Sequence, residues 1–299
     1  MYNFEISICN LSAGYGNKEV LHDINICLQP GIVYGLVGES GCGKSTLSKV
    51  LSGELPIQSG DISPNILQGN SKKPFVITQD VFLSFDINQT VFACLKEVIQ
   101  IKKLPHPRGY AELITSTLLS FQFPLSLTNE KIKKLSGGER QRLALARAFL
   151  ISPDFIIFDE SLESLDMITK VSVADAINAW HNKKAYGAIF ISHDLSLVKY
   201  CCDVIFVMAA GRIIEILPST LISLKNINSF HPYTKSLFET SYSENLKQFA
   251  NYCSLKSTNG CPFSKKCLRS KNVCTIEFPP MHEVTSGHYI ACHFISTIK

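Results

Sequence analysis

The sequence predicts an α/β fold with a largely parallel sheet, and three observations support this. Short apolar runs typical of strands alternate with helical patterns over about the first 225 residues. A glycine-rich segment at residues 38–45 lies between an apolar strand and a helix. The all-apolar run Phe155–Phe158 is typical of a strand that is buried on both faces of a parallel sheet. The length of 299 residues allows one large domain with a smaller second one.

The first part of the chain begins with short strands that glycine and proline turns separate. A helix is predicted from Gly43 to about Leu51, where Gly53 ends it. Residues 88–134 are mostly helical in pattern, with breaks at Pro105-His106-Pro107 and near Pro124. The strands predicted in this part are Glu5–Cys9, Asn25–Leu28, Ile32–Val37 and Phe75–Thr78.

The second part alternates between helices and strands more regularly. A strong helical pattern runs from Ser136 to about Ile151 and stops at Ser152-Pro153. The elements predicted after it are the strand Phe155–Phe158, a helix to about Trp180, the strand Ala188–Ser192, a helix at Leu195–Cys201, and the strands Val204–Met208 and Arg212–Ile216.

Composition excludes several classes of protein. Lys and Arg number 29 against 25 Asp and Glu, and a net charge of +4 is too small to favour nucleic acid as a partner. No apolar stretch approaches the roughly 20 residues that a membrane-spanning helix needs. Residues 1–10 lack the basic and apolar regions of a secretory signal. We therefore expect the 11 cysteines to be reduced, as in a cytosol.

The segment Gly38–Ser45 fits the pattern G-x-x-x-x-G-K-[ST], which forms a phosphate-binding loop, or P-loop, between a strand and a helix. Its glycines let backbone N–H groups turn toward the phosphates, and the following helix directs its N-terminus at the anion. Lys44 would reach the β- and γ-phosphates, and the Ser45 hydroxyl would bind Mg²⁺. The residues expected to bind the nucleotide here are Gly38, Glu39, Ser40, Gly41, Cys42, Gly43, Lys44, Ser45 and Thr46.

Two acids follow the strand Phe155–Phe158. Asp159 and Glu160 would lie at the C-terminal edge of the sheet, where open α/β folds bind ligands. Asp159 is suited to hold Mg²⁺ through water, and Glu160 is suited to polarise an attacking water. A solvated strand end is the alternative for such a pair, and the nearby phosphate loop favours the catalytic interpretation.

Residues 135–142, Leu-Ser-Gly-Gly-Glu-Arg-Gln-Arg, begin a helix with a capping box in which Ser136 is the N-cap and Glu139 is its partner. Two glycines in the first turn weaken that helix by about 1 kcal/mol each relative to alanine. Tolerance of this cost indicates that something approaches the backbone at Gly137 and Gly138 closely, and an anion at a helix N-terminus would fit.

The octapeptide at residues 135–142 resembles the signature motif of ATP-binding cassette (ABC) ATPases. Other family features follow in order: Tyr15 resembles the aromatic that stacks on adenine, and Gln79 the glutamine of the Q-loop. Asp166, in Ser-Leu-Asp, resembles the D-loop residue, and His193 the switch histidine. The resemblance covers about residues 3–225. It implies a RecA-like core with an antiparallel β subdomain and an α-helical subdomain.

The family works as a head-to-tail dimer of cassettes that close on ATP and open after hydrolysis. The resemblance therefore assigns Ser136, Gly137, Gly138 and Glu139 to the nucleotide of a partner cassette. It also implies catalytic roles for Lys44, Glu160 and His193, and Mg²⁺ coordination by Ser45, Gln79 and Asp159.

The C-terminal part, residues 226–299, is predicted to be a separate small module after a cassette of residues 1–225. Four of its cysteines follow the pattern Cys261-x5-Cys267-x6-Cys274-x17-Cys292, and His231-Pro232-Tyr233-Thr234 lies upstream. Together they resemble the C-terminal extension of the oligopeptide, dipeptide and nickel importer ATPases. Four thiolates suit a [4Fe–4S] cluster or structural zinc, and a module without metal stays an alternative.

The thiol of Cys42 carries a separate expectation. It lies in the phosphate loop beside a helix N-terminus, a position that favours the thiolate. Thiol reagents are therefore expected to block nucleotide binding.

These observations predict the ATPase subunit of an importer for peptides or chelated nickel. The expected partners are a second cassette, two membrane permease subunits and, indirectly, a substrate-binding protein, without nucleic acid. The loop that contains Phe82 and Phe85 is expected either to receive a permease helix or to pack over the helical subdomain. The protein is expected to lie peripherally on the cytoplasmic face of the inner membrane. The alternative is a soluble ABC ATPase that acts on nucleic acid or ribosomes. The transported substrate is not readable from the sequence.

Overall fold

The described parts of the chain form two sheets and a set of helices. The structure is a computed structural model, and it describes residues 5–64, 74–78, 85–105, 107–151, 153–161, 167–184, 187–193, 195–222, 229–242 and 259–295.

The larger sheet has eight strands in the order β10-β11-β9-β8-β3-β7-β6-β5. Its centre is parallel, since β3 pairs with β7 and β8, and β6 pairs with β5 and β7, in parallel register. The pairs β8–β9, β9–β11 and β10–β11 are antiparallel. The strands are β3 (Val33–Val37), β5 (Phe75–Thr78), β6 (Phe155–Asp159), β7 (Gly187–Ile191), β8 (Val204–Ala209), β9 (Arg212–Pro218), β10 (Met281–Thr285) and β11 (His288–Ala291).

The smaller sheet is antiparallel and lies at the start of the chain. It has the order β2-β1-β4, with β1 at Ile6–Tyr15, β2 at Lys18–Leu28 and β4 at Ile57–Ser63. Together the two sheets confirm the predicted α/β fold and its antiparallel β subdomain.

Eight helices are found in the described residues. Helices α2, α3 and α4 contact one another and form the helical subdomain, and the break that Pro105 and Pro107 predict falls between α2 and α3. None of the helices in the described ranges is both long and apolar enough to cross a membrane. Their bounds are α1 (Lys44–Leu51), α2 (Val91–Ile101), α3 (Tyr110–Ser120), α4 (Gly137–Ile151), α5 (Met167–Lys184), α6 (Leu195–Cys201), α7 (Pro232–Tyr242) and α8 (Asn272–Ile276).

Two apolar cores cover the two faces of the parallel strands. On one face Phe158 and Phe190 stack with their ring centroids 4.2 Å apart, within a core that also includes residues of α2 to α6. On the other face Ile157 and Ile191 join residues of the small sheet and of α1. Burial on both faces explains why the central strands are apolar at almost every position.

The C-terminal hairpin β10–β11 continues the larger sheet, because Tyr289 and Ile290 of β11 pair with Ile216 and Glu215 of β9. Phe230, Tyr233, Phe238, Cys261 and Phe263 belong to the same apolar core as α4. The extension therefore shares a sheet and a core with the cassette, whereas the sequence suggested a separate module. The predicted boundary at residue 225 lies outside the described residues.

Candidate nucleotide site

The glycine-rich loop joins the end of β3 to the start of α1, as the sequence predicts. A Cβ at Gly38 would lie 2.2 Å from the Met208 carbonyl oxygen, so only glycine lets the loop approach β8 this closely. Gly41 and Gly43 have φ values of 79° and 114°, which side chains other than glycine rarely adopt. The loop conformation therefore requires glycine at the two motif positions, 38 and 43, and also at position 41 between them.

Lys44 lies at the first position of α1 and is 5% exposed. Its Nζ donates to the carbonyl oxygens of Gly38 at 2.8 Å and Glu39 at 2.9 Å, so the ammonium is held inside the loop. A cleft of about 220 Å³ opens above the loop. Its lining residues are Val20, Ser40, Gly41, Gly43, Lys44, Ser45, Thr46 and Glu160.

Asp159 and Glu160 end β6 at the loop, as predicted. Burial raises the pKa of Asp159, while a hydrogen bond with Ser48 and the charges of Lys44 and Lys49 act in the opposite direction. Glu160 adopts a φ of 51° and donates its backbone N–H to Ile191 O at 3.0 Å. This left-handed conformation is uncommon outside glycine, and Glu160 lines the cleft above the P-loop.

The donor set around the cleft fits a nucleotide triphosphate with Mg²⁺. An ammonium, a helix N-terminus and glycine amides suit phosphate oxygens. The Ser45 hydroxyl is exposed toward the cleft, and the Asp159 carboxylate stands close enough to Lys44 for their charges to interact. Hydroxyl and carboxylate oxygens are ligands that Mg²⁺ prefers.

Of the remaining positions that the family resemblance singled out, two lie within the described residues and two do not. Tyr15 ends β1, is 47% exposed and lies with its ring centroid 5.6 Å from Lys49 Nζ, beside α1. His193 follows β7, the neighbour of β6, and is exposed, but it does not line the cleft. Gln79 and Asp166 lie outside the described residues.

The signature segment forms the predicted capping box at the start of α4. The Ser136 backbone N–H donates to Glu139 Oε2 at 2.7 Å, and the Glu139 N–H donates to Ser136 Oγ at 3.3 Å. A Cβ at Gly137 would meet no atom within 4 Å. Nothing in the described part of the chain therefore requires glycine at 137, as expected where an outside group approaches the helix.

Gln141 is a residue that the sequence analysis missed. It is fully buried, and its side-chain Nε2 donates to the carbonyl oxygen of Ser161, the residue after Glu160. This contact links the signature helix to the end of β6. The signal available in the sequence was a polar amide residue shortly before the apolar positions Leu143, Ala144 and Leu145 of the predicted helix.

The prediction of a reactive Cys42 thiolate is wrong. Cys42 is 1% exposed and packs in the core between the small sheet and α1. Burial raises the pKa of its thiol, and the charge of Lys44 opposes this only in part. The Lys44 ammonium lies 4.0 Å from the sulfur, but burial outweighs this contact, so the P-loop position does not make the thiol reactive.

Phe85 also differs from the expectation that it receives a permease helix. It is 9% exposed, and the guanidinium of Arg147 lies 4.2 Å from its ring centroid. The ring is therefore covered by α4 in the single chain. Phe82 lies outside the described residues.

The four C-terminal cysteines line one cavity of about 20 Å³, together with His231 and His293. All four are free thiols, and burial raises the pKa of Cys261 to about 12 and that of Cys292 in the same direction. A cavity of this size holds about one water-sized sphere. Among the described residues, no group of three or more His, Cys, Asp or Glu is arranged around a single ion position. The cysteines thus converge without forming a preassembled coordination sphere.

Comparison with known proteins agrees with this geometry. Residues 21–163 match the model of the family described as "ABC transporter". The chain is 28% identical over 309 residues to a putative peptide import ATP-binding protein of Brucella ovis, covering 96% of each chain. It is 28% identical to the putative oligopeptide transport ATP-binding protein YkfD of Bacillus subtilis, covering 97% of this chain and 94% of that one. It is also 28% identical to the oligopeptide transport ATP-binding protein OppF of Haemophilus influenzae, covering 92% of this chain and 88% of that one.

Solved structures show the same fold. The ATP-bound structure of a bacterial Atm1-family ABC exporter has a TM-score of 0.65 at 23% identity, over 80% of this chain and 42% of the exporter chain. A dimeric bacterial ABC transporter cassette has a TM-score of 0.62 at 18% identity, over 72% of this chain and 98% of the cassette. Together, the P-loop, the acids after β6, the signature helix and the family match show that the chain carries the ATPase domain of ABC transporters over residues 21–163.

Proposed function

We propose that the chain is the ATP-hydrolysing subunit of an importer for peptides. The single observation that carries this is the cleft where Lys44, Ser45 and Glu160 meet above the P-loop, since it brings together a cation for the phosphates, a hydroxyl suited to Mg²⁺ and a carboxylate that can act as a base. Similarity to peptide importer ATPases along nearly the whole chain, including the extension, supports peptides as the cargo.

The chemistry is positioning together with electrostatic stabilisation. Lys44 and the loop amides bind the β- and γ-phosphates, and Ser45 and Asp159, with Gln79, hold Mg²⁺, which neutralises phosphate charge when bound. Glu160, at the rim of the cleft, accepts a proton from the attacking water. His193, which follows β7 beside β6, contacts the γ-phosphate after the cassettes close.

The substitution Glu160→Gln tests the role of Glu160. It keeps the shape and the hydrogen-bonding capacity of the side chain but removes the base, so we expect ATP hydrolysis to fall at least about a hundredfold. Nucleotide affinity, measured by fluorescence titration, should stay within about twofold. Glu277→Gln, an exposed change after α8, is the matched control. Normal hydrolysis by Glu160→Gln would exclude Glu160 as the base.

We also propose a head-to-tail dimer in which Ser136, Gly137, Gly138 and Glu139 contact the nucleotide of a second cassette. The exposure of Ser136 and Gly137 and the empty space around Gly137 support this role. The second cassette could be another copy or a related chain. ATP-dependent dimers of Glu160→Gln in size-exclusion chromatography would favour a homodimer.

Two permease subunits and a substrate-binding protein complete the proposed importer, with this chain on the cytoplasmic face of the inner membrane. Co-purification from detergent-solubilised membranes with polytopic subunits is the expected result. Co-purification with ribosomes or nucleic acid would instead favour the alternative, an ABC ATPase without a membrane partner. Uptake of labelled peptides and uptake of ⁶³Ni²⁺ can be compared in cells that lack the chain. Loss of peptide uptake alone is expected, whereas loss of ⁶³Ni²⁺ uptake would favour nickel chelates as the cargo.

At the cysteine cavity we propose a four-thiolate metal site formed by Cys261, Cys267, Cys274 and Cys292. Their lining of one cavity supports it, and the donor set suits a [4Fe–4S] cluster or zinc. The present cavity is the size of a single ion, so a cluster requires the cysteines to move apart. Anaerobically purified protein should contain iron with visible absorbance or stoichiometric zinc, and Cys274→Ser should lose it whereas the exposed Cys9→Ser should not. Colourless wild-type protein without metal would overturn the site.

A further inference from the structure

The tyrosine of the segment His231-Pro232-Tyr233-Thr234 reaches the nucleotide site. Tyr233 lies in the first turn of α7 and is 2% exposed. Its hydroxyl accepts a hydrogen bond from the backbone N–H of Glu39 at 3.1 Å. The two residues are 194 positions apart in the sequence, so the C-terminal extension contacts the P-loop directly.

The same hydroxyl donates to the Met208 carbonyl oxygen at 3.3 Å. Met208 O is the atom against which Gly38 is packed, 2.2 Å from where a Cβ would lie. Tyr233 thus ties the end of β8 to the first turn of the loop, at the place where the loop requires glycine.

The peptide groups on both sides of Glu39 are held. Its N–H is bound by Tyr233, and its carbonyl oxygen accepts hydrogen bonds from Lys44 Nζ at 2.9 Å and from the Cys42 N–H at 3.2 Å. Glu39 O is one of two carbonyl oxygens that orient the Lys44 ammonium. A shift of this peptide would therefore move the group that meets the phosphates.

The start of α7 also contacts the part of the extension that contains Cys261, Cys267, Cys274 and Cys292, which we call the cysteine module. The Tyr233 ring packs edge-on against Phe263, with the ring centroids 5.7 Å apart. His231 Nδ1 accepts the Tyr233 backbone N–H at 3.1 Å, which leaves the proton of the neutral ring on Nε2, and Nε2 lies 3.9 Å from Cys261 Sγ. The chain of contacts runs from Cys261 and Phe263 through α7 to the P-loop.

We infer that Tyr233 is a positioning residue for the P-loop, through which the state of the cysteine module changes the affinity for ATP. The hydroxyl fixes the Glu39 peptide, and the ring and backbone of Tyr233 follow Phe263 and His231. This inference rests on ATP binding by the cassette and not on the identity of the cargo or of any bound metal.

The variant Tyr233→Phe tests the positioning role. It removes the two hydrogen bonds and keeps the ring against Phe263. Because the Glu39 N–H then loses its partner and the peptide that orients Lys44 is held less firmly, we expect ATP binding to weaken by about three- to tenfold. The KM for ATP should rise by the same factor, while kcat stays within about twofold, because the groups that act on the reacting phosphate are unchanged. Fluorescent nucleotide titration and steady-state hydrolysis measure the two values.

Tyr289→Phe is the matched control, because its hydroxyl bonds Glu283 within the extension. It should change neither nucleotide affinity nor KM. An unchanged nucleotide affinity in Tyr233→Phe would overturn the inference. A fall of kcat by about three- to tenfold without a change of KM would overturn it as well. The variant Glu160→Gln tests only the catalytic base. A failure of the proposed ATPase mechanism would appear in that variant, whereas a failure of the present inference would appear in Tyr233→Phe, so the two failures are distinguishable.

A second measurement tests the coupling in the reverse direction. Contacts that carry a change from the module to the P-loop also act in the opposite direction on the equilibrium between module conformations. A non-hydrolysable ATP analogue should therefore lower the population of conformations in which the module cysteines are open, and so slow their alkylation. Peptide mass mapping should show at least about threefold protection of Cys261 and Cys267 by the analogue in the wild type. In Tyr233→Phe the protection should fall below about 1.5-fold at saturating analogue. Equal protection in both proteins would overturn the coupling.

Discussion

The thiol of Cys42 shows how burial of one side chain sets its reactivity. Cys9 is exposed at the surface of β1, whereas Cys42 is 1% exposed in the core below the P-loop. Cys27 is an intermediate case, since partial burial and the Glu5 carboxylate raise its pKa to about 11. Because the thiolate is the nucleophile, these three cysteines differ in rate even though two of them are exposed.

We expect maleimide at pH 7.5 to label Cys9 first, Cys27 more slowly and Cys42 at least about tenfold more slowly than Cys9. Peptide mass mapping over time measures the three rates. Nucleotide binding should persist after Cys9 is fully labelled. Protein unfolded in urea is the control, because all three rates should then approach one another. Loss of nucleotide binding in step with labelling of Cys42 at the rate of Cys9 would contradict this order.

Local patterns predicted residue types and elements well, because they depend on neighbours in the sequence. The strand Phe75–Thr78 and the helix Leu195–Cys201 have the predicted bounds, and the capping box forms the predicted pair of hydrogen bonds. The phosphate loop was predictable because its glycines and lysine lie within eight residues of one another.

The missed features depend on contacts between distant parts of the chain. Tyr233 meets Glu39 across 194 positions, and β11 joins β9 through short segments whose pairing no local pattern encodes. The burial of Cys42 likewise follows from the packing of the small sheet over α1, which periodicity in the loop cannot reveal.

At the scale of elements, helix α4 combines a stabilised start with residues that weaken it. The capping box supplies two hydrogen bonds, yet Gly137 occupies the first helical position without a steric need in the described structure. A helix start that is capped well and packed loosely stays rigid while leaving its amides accessible. This is the arrangement that an anion from outside the chain requires.

We predict that Gly137→Ala stabilises the single chain and weakens the ATP-dependent dimer. Alanine favours the helix by up to about 1 kcal/mol, which should raise the Tm by a few degrees or less. The added methyl group would occupy the space through which a partner's phosphate approaches. Calorimetry and size-exclusion chromatography with ATP, both in the Glu160→Gln background, measure the two effects.

Ser116→Ala on the exposed surface of α3 is the control for this prediction, since it also favours a helix. It should leave the dimer intact, which separates an effect on stability from one on the interface. A Gly137→Ala protein that dimerises like its parent would show that no group approaches Gly137 closely.

At the scale of the whole molecule, a buried hydrogen-bonded pair of a histidine and a carboxyl group connects the extension to the cassette. His288 Nε2 of β11 lies 2.7 Å from Glu215 Oε1 of β9, and the two side chains are 2% and 0% exposed. Glu215 Oε2 also accepts the His231 backbone N–H at 3.0 Å. Burial raises the pKa of Glu215, while the hydrogen bond from His288 acts against this rise. Strand β9, strand β11 and the start of α7 therefore meet at a single carboxylate.

Removing His288 should destabilise the protein far more than removing both polar partners. His288→Phe keeps an aromatic ring beside Phe230, 6.0 Å away between centroids, but leaves the buried Glu215 carboxylate without its histidine partner. The His231 N–H remains bonded to Glu215, and the loss of one member of a buried pair costs about 3–5 kcal/mol. In the double variant Glu215→Gln with His288→Phe, the neutral amide still accepts from the His231 N–H, so at least half of that loss should be recovered. Urea unfolding measures both, and Lys134→Ala in the exposed pair with Glu130 should cost less than about 1 kcal/mol. A double variant no more stable than His288→Phe would mean that the carboxylate is not what the histidine stabilises. The join between extension and cassette would then depend on apolar packing, strand pairing and the other hydrogen bonds between the two parts.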